Sequence, residues 1–154
     1  MKIQIYTGGS CHTQLLIGAW GAIVFVNGKK IVLSAVETVT THNRMELLSV
    51  IEAVEYLEEN NLAGHLIEVF SDSQYVVNLL TRKERLKQKN FITKKGTSIQ
   101  NADLVQKLIK QIETHDINFT KVKAHQKNGD AMNREVDSLV RSLVRKKVSE
   151  QDGK

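Results

Sequence analysis

Val69-Phe-Ser-Asp72-Ser-Gln-Tyr-Val-Val77 joins a predicted strand to a predicted helix, and the other predicted elements are arranged around this junction. An apolar run with the composition of a β-strand ends at Asp72, and apolar residues return over 75–80 at the spacing of a helix. Open α/β sheets bind their ligands at the carboxyl ends of strands, where a strand gives way to a helix. A carboxylate at such a point is poorly suited to packing and well suited to chemistry. Asp72 is therefore the first candidate functional residue.

Three strands are predicted before this stretch, joined as an antiparallel meander. Residues 2–7 alternate between apolar and polar side chains, as a half-buried strand does, and Gly8-Gly9-Ser10 is predicted to end that strand. Residues 20–26 and 31–38 are predicted to form the next two strands. Asn27-Gly28 between them is a strong signal for a two-residue hairpin.

The remainder of the chain predicts helices and two further strands. Apolar residues at helical spacing predict helices over 45–57, 75–80, 102–115 and 136–144, and strand-like runs occur over 66–71 and 117–122. A strand that follows a helix of adequate length can lie parallel to the first strand. The element order therefore predicts an α/β protein with one five-stranded mixed sheet flanked by helices. We expect a single domain over residues 1–147 and a frayed tail over 148–154.

The amino-acid composition indicates the class of binding partner and the cellular compartment. The net charge of +5 favours a polyanionic partner. A single cysteine, Cys11, excludes an internal disulfide and favours a reducing, cytoplasmic setting. No apolar run approaches the roughly 18 residues that cross a bilayer, so no membrane association is expected. We expect a cytoplasmic monomer.

Two other carboxylates are candidates to converge on Asp72. Glu46 lies near the start of the first predicted helix, and Asp137 lies beside the apolar seam of the last one. Three carboxylates held close together would repel one another unless a cation bound them, and rigid oxygen ligands suit Mg²⁺ or Mn²⁺. Each residue also has a plain structural interpretation: Asp72 as a helix cap, Glu46 as a helix-dipole partner, and Asp137 as a surface acid.

Several stretches, in this order along the chain, resemble the type 1 ribonuclease H family. They are Tyr6-Thr-Gly-Gly-Ser10, Thr40-Thr-His-Asn-Arg-Met-Glu-Leu47, Ser71-Asp-Ser-Gln-Tyr-Val76, Lys123-Ala-His125 and Asn133-Arg-Glu-Val-Asp137. The resemblance covers residues 1–147, and an ordered set of motifs is far more specific than any one of them. It implies a ribonuclease H-like fold that cleaves the RNA strand of RNA/DNA hybrids. The family does so with two Mg²⁺ ions held by four carboxylates.

By this resemblance, Glu46, Asp72 and Asp137 are three of the metal ligands. His125 is similar to the family's mobile histidine, which assists proton transfer or product release. The fourth ligand in the family is an aspartate that bridges both ions, and Gly8 stands at its position in this chain. Loss of that carboxylate predicts weak metal binding and a cleavage rate lower by orders of magnitude, at about tenfold for each 1.4 kcal/mol. Two interpretations remain open: a family member with lost or rewired catalysis, or a glycine introduced in place of aspartate.

The resemblance also implies contacts to nucleic acid. Asn43 and Gln74 match residues that contact the minor groove, where 2′-hydroxyl groups mark the RNA strand. Thr41 matches a residue that helps to hold a DNA phosphate. All three also suit helix caps. The loop that follows Ser10 differs in sequence from the glycine-rich and proline-rich turn of the family. Its contact with the substrate is therefore left open.

A cluster of cations, here called the basic segment, is expected to lie along the DNA backbone. It comprises Arg82, Lys83, Arg85, Lys87, Lys89, Lys94 and Lys95, opposed only by Glu84. Such a bias is too strong for a balanced helix surface, although many charge runs are only solvated faces. Binding through these cations would weaken steeply with salt. The rival to an active nuclease is therefore a catalytically inactive module that binds RNA/DNA hybrids.

Overall fold

The computed structural model describes residues 2–123 and 131–152. The elements in these ranges are β1 (Lys2–His12), β2 (Ile17–Val26), β3 (Lys29–Glu37), α1 (His42–Glu59), β4 (Leu66–Ser71), α2 (Gln74–Thr81), α3 (Lys83–Gln88), α4 (Ala102–Thr114), β5 (Ile117–Lys121) and α5 (Ala131–Asp152).

The strands form one five-stranded mixed sheet in the order β3-β2-β1-β4-β5. The first three strands pair antiparallel, whereas β4 pairs parallel with both β1 and β5. The hairpin between β2 and β3 turns through Asn27 and Gly28, whose φ angles of 51° and 78° are the positive values that a type I′ turn requires. The 18-residue helix α1 provides the crossover that returns the chain to a parallel position beside β1. The predicted α/β fold class, meander and mixed sheet are confirmed.

The two faces of the sheet carry different helices. Ile3 and Ile5 of β1 point to one face, where they pack in the main core with residues of α1 and α4. Tyr6 and Ile23 point to the other face and pack against Val136 of α5. The alternation of side chains along a strand produces this division, because neighbouring residues point to opposite faces. The first strand is therefore covered by α1 on one side and by α5 on the other.

The predicted end of the first strand was wrong. The strand β1 continues through the glycines to His12, and Gly8 and Gly9 pair with Gly21 and Trp20 of β2. A Cβ atom at Gly9 would lie 2.7 Å from the backbone carbon of Met45 in α1. The glycines therefore serve close packing of helices on an unbroken strand, and they do not mark a turn.

The predicted frayed tail over 148–154 was also too long. The last helix runs to Asp152, and Val148 packs against the cluster of Ala19, Val140 and Val144. Val144 and Val148 are one helical turn apart, so the apolar stripe continues past the predicted boundary. Within the described part of the chain, no helix combines the length and the apolar composition needed to cross a membrane.

Candidate active site

A cleft with a volume of about 360 Å³ opens at the carboxyl end of β4, beside Gly8 and Gly9 in the middle of β1. Six of the residues predicted from the sequence line it: Gly8, Asn43, Glu46, Asp72, Gln74 and Asp137. They come from five separate elements or junctions, so no local pattern could have placed them together. The cleft lies where the chemistry of an open α/β sheet is expected.

Asp72 follows the last residue of β4 and precedes α2. The cap of α2 is Ser73, whose hydroxyl accepts a hydrogen bond from the backbone N–H of Val76 at 3.2 Å. The hydroxyl of Ser71 accepts another from the backbone N–H of Ser73 at 3.1 Å. The two serines thus form the turn between strand and helix. The alternative interpretation of Asp72 as the helix cap is wrong, and its carboxylate lines the cleft.

Glu46 is in the second turn of α1, and it is only 4% exposed. Its Oε1 atom lies 3.3 Å from Nε2 of His42, whereas its Oε2 atom is buried with no hydrogen-bond partner in residues 2–123 and 131–152. Burial raises the pKa of Glu46, and the negative charge of Asp72 raises it further. The hydrogen bond from His42 and, more weakly, the backbone N–H of Gly9 lower it. A buried carboxylate oxygen without a partner is a costly arrangement that a bound cation would relieve.

His42 lines this cleft but was not among the site residues predicted from the sequence. The hydrogen bond to Glu46 raises the pKa of His42, and the negative charges of Glu46, Asp72 and Asp137 raise it as well, against the opposing effect of burial. The spacing of four residues between His42 and Glu46 was a usable signal, because side chains at that spacing meet on one helix face. His42 and all three carboxylates line the same cleft.

Asp137 lies on α5 and is engaged by a cation of the same helix. Nε of Arg141 lies 3.2 Å from both of its carboxylate oxygens, and Arg141 also lines the cleft. The Asp137 side chain is 37% exposed, so it has part of the character of a surface acid while facing the site. Arg141 was not predicted from the sequence, although it too stands four residues from its partner.

The described residues contain no group of three His, Cys, Asp or Glu side chains poised to hold a metal ion. Glu46 and Asp72 nevertheless suit a single hard cation, because Oε2 of Glu46 is buried without a partner and the charge of Asp72 acts on it. Gly8 lies on β1 with its α-carbon facing α5 and contributes no side-chain oxygen. His125 lies outside the described residues.

The residues predicted to contact nucleic acid divide into two groups. Thr41 caps α1, because its hydroxyl accepts a hydrogen bond from the backbone N–H of Arg44 at 3.2 Å. Asn43 and Gln74 line the cleft and do not cap a helix, and Gln74 donates a side-chain hydrogen bond to Asn78 at 2.7 Å. Arg44 pairs with Asp103 at 3.0 Å, which ties the first turn of α1 to the start of α4.

The basic segment forms α3 and the turns that follow it. Two of its seven cations face an acid on a neighbouring helix: Lys87 pairs with Glu113 of α4, and Lys83 lies 4.0 Å from the same carboxylate. Lys83 also lies 3.8 Å from Glu84. The other five make no ion pair with any described residue; they are Arg82, Arg85, Lys89, Lys94 and Lys95.

The sheet order, the crossover through α1 and the cleft at the carboxyl end of β4 define a ribonuclease H-like α/β fold. The family model described as RNase H matches residues 1–145. The chain therefore belongs to the RNase H family, and the resemblance drawn from its motifs is confirmed at that level.

Individual relatives agree with this assignment. The chain is 36% identical over 147 residues to a ribonuclease H of Chlorobium chlorochromatii (strain CaD3), covering 94% of this chain and 97% of the relative. It is 34% identical over 146 residues to a ribonuclease H of Caldicellulosiruptor saccharolyticus, covering 94% and 97%. Among solved structures, LC9-RNase H1, described as a type 1 RNase H with the type 2 active-site motif, matches with a TM-score of 0.78 and 25% identity. That match covers 93% of this chain and 72% of the other.

Proposed function

We propose that this chain is a metal-dependent endonuclease that hydrolyses the RNA strand of RNA/DNA hybrids at a rate limited by the missing carboxylate at Gly8. The observation that carries the proposal is the cleft shared by Glu46, Asp72 and Asp137, with Asn43 and Gln74 at its edge. Membership of the RNase H family supports the choice of substrate. The net charge of +5 favours a nucleic-acid partner, and the single cysteine favours a cytoplasmic setting. The protein is proposed to act as a monomer.

Mg²⁺, with Mn²⁺ as a substitute, is the cofactor that the residues suit. Glu46 and Asp72 would hold it, since Glu46 offers a buried oxygen with no partner among the described residues, and Asp137 would complete the set. When bound, such an ion lowers the pKa of a water molecule and stabilises the charge that develops on a phosphate. His125, which precedes α5 in the sequence, is proposed to assist proton transfer or product release, as its motif implies.

The protein groups around the cleft are proposed to bind and orient the hybrid. Asn43 and Gln74 would contact the minor groove, where the 2′-hydroxyl groups distinguish RNA from DNA. Thr41, which caps α1, would add a DNA phosphate contact beside its structural role. The cations of the basic segment would neutralise phosphates of the DNA strand, and the five without an ion pair are proposed to contribute most.

The second candidate is a module that binds RNA/DNA hybrids without cutting them. It is favoured by one specific observation: Val136 lies where a side chain at position 8 would have to stand. It is also consistent with the absence of a three-ligand metal group in the described ranges. This candidate keeps the basic segment and the cleft edge and loses only the reaction.

Cleavage of an end-labelled RNA/DNA hybrid in Mg²⁺ and in Mn²⁺ separates the two candidates. The proposed nuclease gives slow cleavage that the Asp72→Asn variant abolishes. Asp116→Asn is the matched control, because Asp116 precedes β5 and so lies at the opposite end of the sheet from Asp72. Cleavage that is equal in all three preparations would come from a contaminant. Together with tight, salt-sensitive hybrid binding, that result would favour the binding module.

A further inference from the structure

The space beside the α-carbon of Gly8 is filled by the side chain of Val136 in α5. An ideal Cβ atom at Gly8 would lie 2.8 Å from Cγ1 of Val136, a separation that real Cβ contacts do not show. Beyond Gly8 and its two chain neighbours, the only other heavy atom of the described residues within 4 Å of that point is Cβ of the same valine, at 3.8 Å. A single methyl group of α5 therefore occupies the space that any side chain at position 8 needs.

The neighbouring strand β2 has a second glycine that is covered by α5. Gly21 of β2 pairs with Gly8 of β1 and faces the same helix. An ideal Cβ atom at Gly21 would lie 3.0 Å from Cγ1 of Val140 and 3.6 Å from Cγ1 of Val136. The two glycines thus form a flat patch in the sheet, and the two valines of α5 rest on it.

Val136 has no room to move aside. It is fully buried against Tyr6 and Ile23. Tyr6 is in turn fixed between two aromatic rings, stacked on Phe70 at a centroid distance of 4.7 Å and edge-to-face with Phe25 at 6.1 Å. A β-branched residue in a helix also has one strongly preferred rotamer. A side chain at position 8 would therefore push α5 away from the sheet, and α5 carries Asp137.

Gly9 shows why position 8 differs from its neighbour. A Cβ atom there would lie 2.7 Å from the backbone carbon of Met45 and 2.8 Å from the backbone nitrogen of Glu46. No side-chain substitution relieves a clash with backbone. At Gly8 the obstacle is one methyl group, so one substitution removes it.

We infer that Val136 is the positioning residue that has replaced the side chain at position 8: it seats α5, and with it Asp137, directly on the Gly8–Gly21 patch. A carboxylate returned to position 8 can act as a metal ligand only if Val136 is made smaller. This inference rests on the proposed function for its metal site, whereas its packing part stands on geometry alone.

A double-mutant cycle on thermal stability tests the packing part without metal. Gly8→Ala is expected to lower the Tm by roughly 3–6 °C in the presence of Val136 and to leave it nearly unchanged in the Val136→Ala background. Val140→Ala is the matched control, because Val140 is equally buried on α5 but contacts Gly21 and not Gly8. Gly8→Ala should therefore cost as much in the Val140→Ala background as in the unaltered chain.

Mn²⁺ binding, followed by the electron paramagnetic resonance signal of the free ion, tests the positioning part. Gly8→Asp alone is expected to bind Mn²⁺ no better than the unaltered chain. Gly8→Asp combined with Val136→Ala is expected to bind at least about tenfold more tightly. Val136→Ala alone and Gly8→Asp with Val140→Ala are expected to show no gain, which separates positioning from a general effect on stability.

Recovery of Mn²⁺ binding by Gly8→Asp alone, without loss of Tm, would overturn the inference and leave the proposed function intact. Equal recovery with Val140→Ala in place of Val136→Ala would also overturn it. A clear coupling in Tm without any gain in Mn²⁺ affinity would overturn the positioning role. The proposed function is tested separately, by the loss of hybrid cleavage in the Asp72→Asn variant.

Discussion

Nε2 of His42 lies 3.3 Å from Oε1 of Glu46, one turn further along α1, so an exposed imidazole contacts a buried carboxylate of the cleft. The His42 side chain is 57% exposed, and that of Glu46 is 5% exposed. Burial raises the pKa of the glutamate, while the hydrogen bond to that glutamate raises the pKa of the histidine. Any cation that binds Glu46 therefore competes with an imidazole already in place.

His42 is expected to stabilise the metal-free protein in a pH-dependent way. The pKa of His42 in the folded state lies above its ordinary 6.5, so its contribution is complete below that pH and is lost as the pH rises through the folded-state pKa. His42→Ala should therefore lower the free energy of unfolding more near pH 6 than near pH 9. The effect should stay within about 1 kcal/mol, because the imidazole is more than half exposed.

Urea unfolding in the presence of a chelator, at about pH 6, 7.5 and 9, measures this difference. His65→Ala is the control for removal of an imidazole, since His65 precedes β4 and lies at the end of that strand away from Asp72. A loss of stability from His42→Ala that is the same at all three pH values would contradict the prediction.

Gly9→Ala is expected to destabilise the fold strongly. The added Cβ atom would meet backbone atoms of Met45 and Glu46 at 2.7 and 2.8 Å, so α1 must shift away from β1. Overpacking of this kind predicts a loss of about 3 kcal/mol or more in the free energy of unfolding. At Gly64, no atom of the described residues other than its chain neighbours lies within 4 Å of an added Cβ atom, so Gly64→Ala should change the free energy of unfolding by less than about 0.5 kcal/mol. Similar values for the two variants would show that α1 does not press on Gly9.

Cations of the basic segment are expected to contribute unequally to hybrid binding. Arg85 and Lys87 are both exposed on α3, but Lys87 is paired with Glu113. Arg85→Ala should weaken binding and reduce the slope of log K against log salt by about 0.9, the value for one phosphate contact. Lys87→Ala should weaken hybrid binding less and should reduce the salt slope by less.

Glu113→Gln should steepen the salt slope, because it frees Lys83 and Lys87 from their contacts with the Glu113 carboxylate. Fluorescence anisotropy titrations at several salt concentrations, without divalent cations, give all three results, and equal slopes for the three variants would contradict the prediction.

Two substitutions of Thr41 separate its role as the cap of α1 from its proposed role in hybrid binding. Thr41→Ala removes the hydroxyl that caps α1 and should lower the free energy of unfolding by about 1 kcal/mol. Thr41→Asn restores a cap and should recover that stability. If Thr41 also holds a DNA phosphate, as its motif implies, Thr41→Asn should still bind the hybrid more weakly than the unaltered chain. Full recovery of both stability and binding would assign Thr41 to capping alone.

The sequence was sufficient for the parts of this fold that depend on local signals. Asn27-Gly28 predicted its hairpin, and the run that ends at Asp72 predicted the strand-to-helix junction, because both depend on neighbouring residues alone. The path of β1 through Gly8 and Gly9 could not be predicted in this way. Whether a glycine ends a strand or admits a helix depends on what packs over it, and that partner is distant in sequence.

The candidate site likewise has features that the sequence predicted and features that depend on packing. Glu46, Asp72 and Asp137 were predicted from their places in the expected elements and from the family motifs, but the burial of Glu46 and the pairing of Asp137 with Arg141 depend on the packed fold. An acid that is 4% exposed runs against the usual distribution of charged residues, so composition gives no hint of it. The obstruction of position 8 by Val136 joins residues 128 positions apart, which only the packed arrangement of α5 on the sheet reveals.

The single-turnover rate of hybrid cleavage in Mg²⁺, measured with protein in excess, shows whether position 8 controls catalysis. The unaltered chain is compared with the variant that combines Gly8→Asp and Val136→Ala. If the missing carboxylate and the valine that fills its place limit the reaction, the double variant should cleave at least about 100-fold faster, equivalent to about 2.7 kcal/mol of transition-state stabilisation. Equal rates for the two proteins, whether fast or undetectable, would contradict the claim that position 8 controls catalysis in this chain.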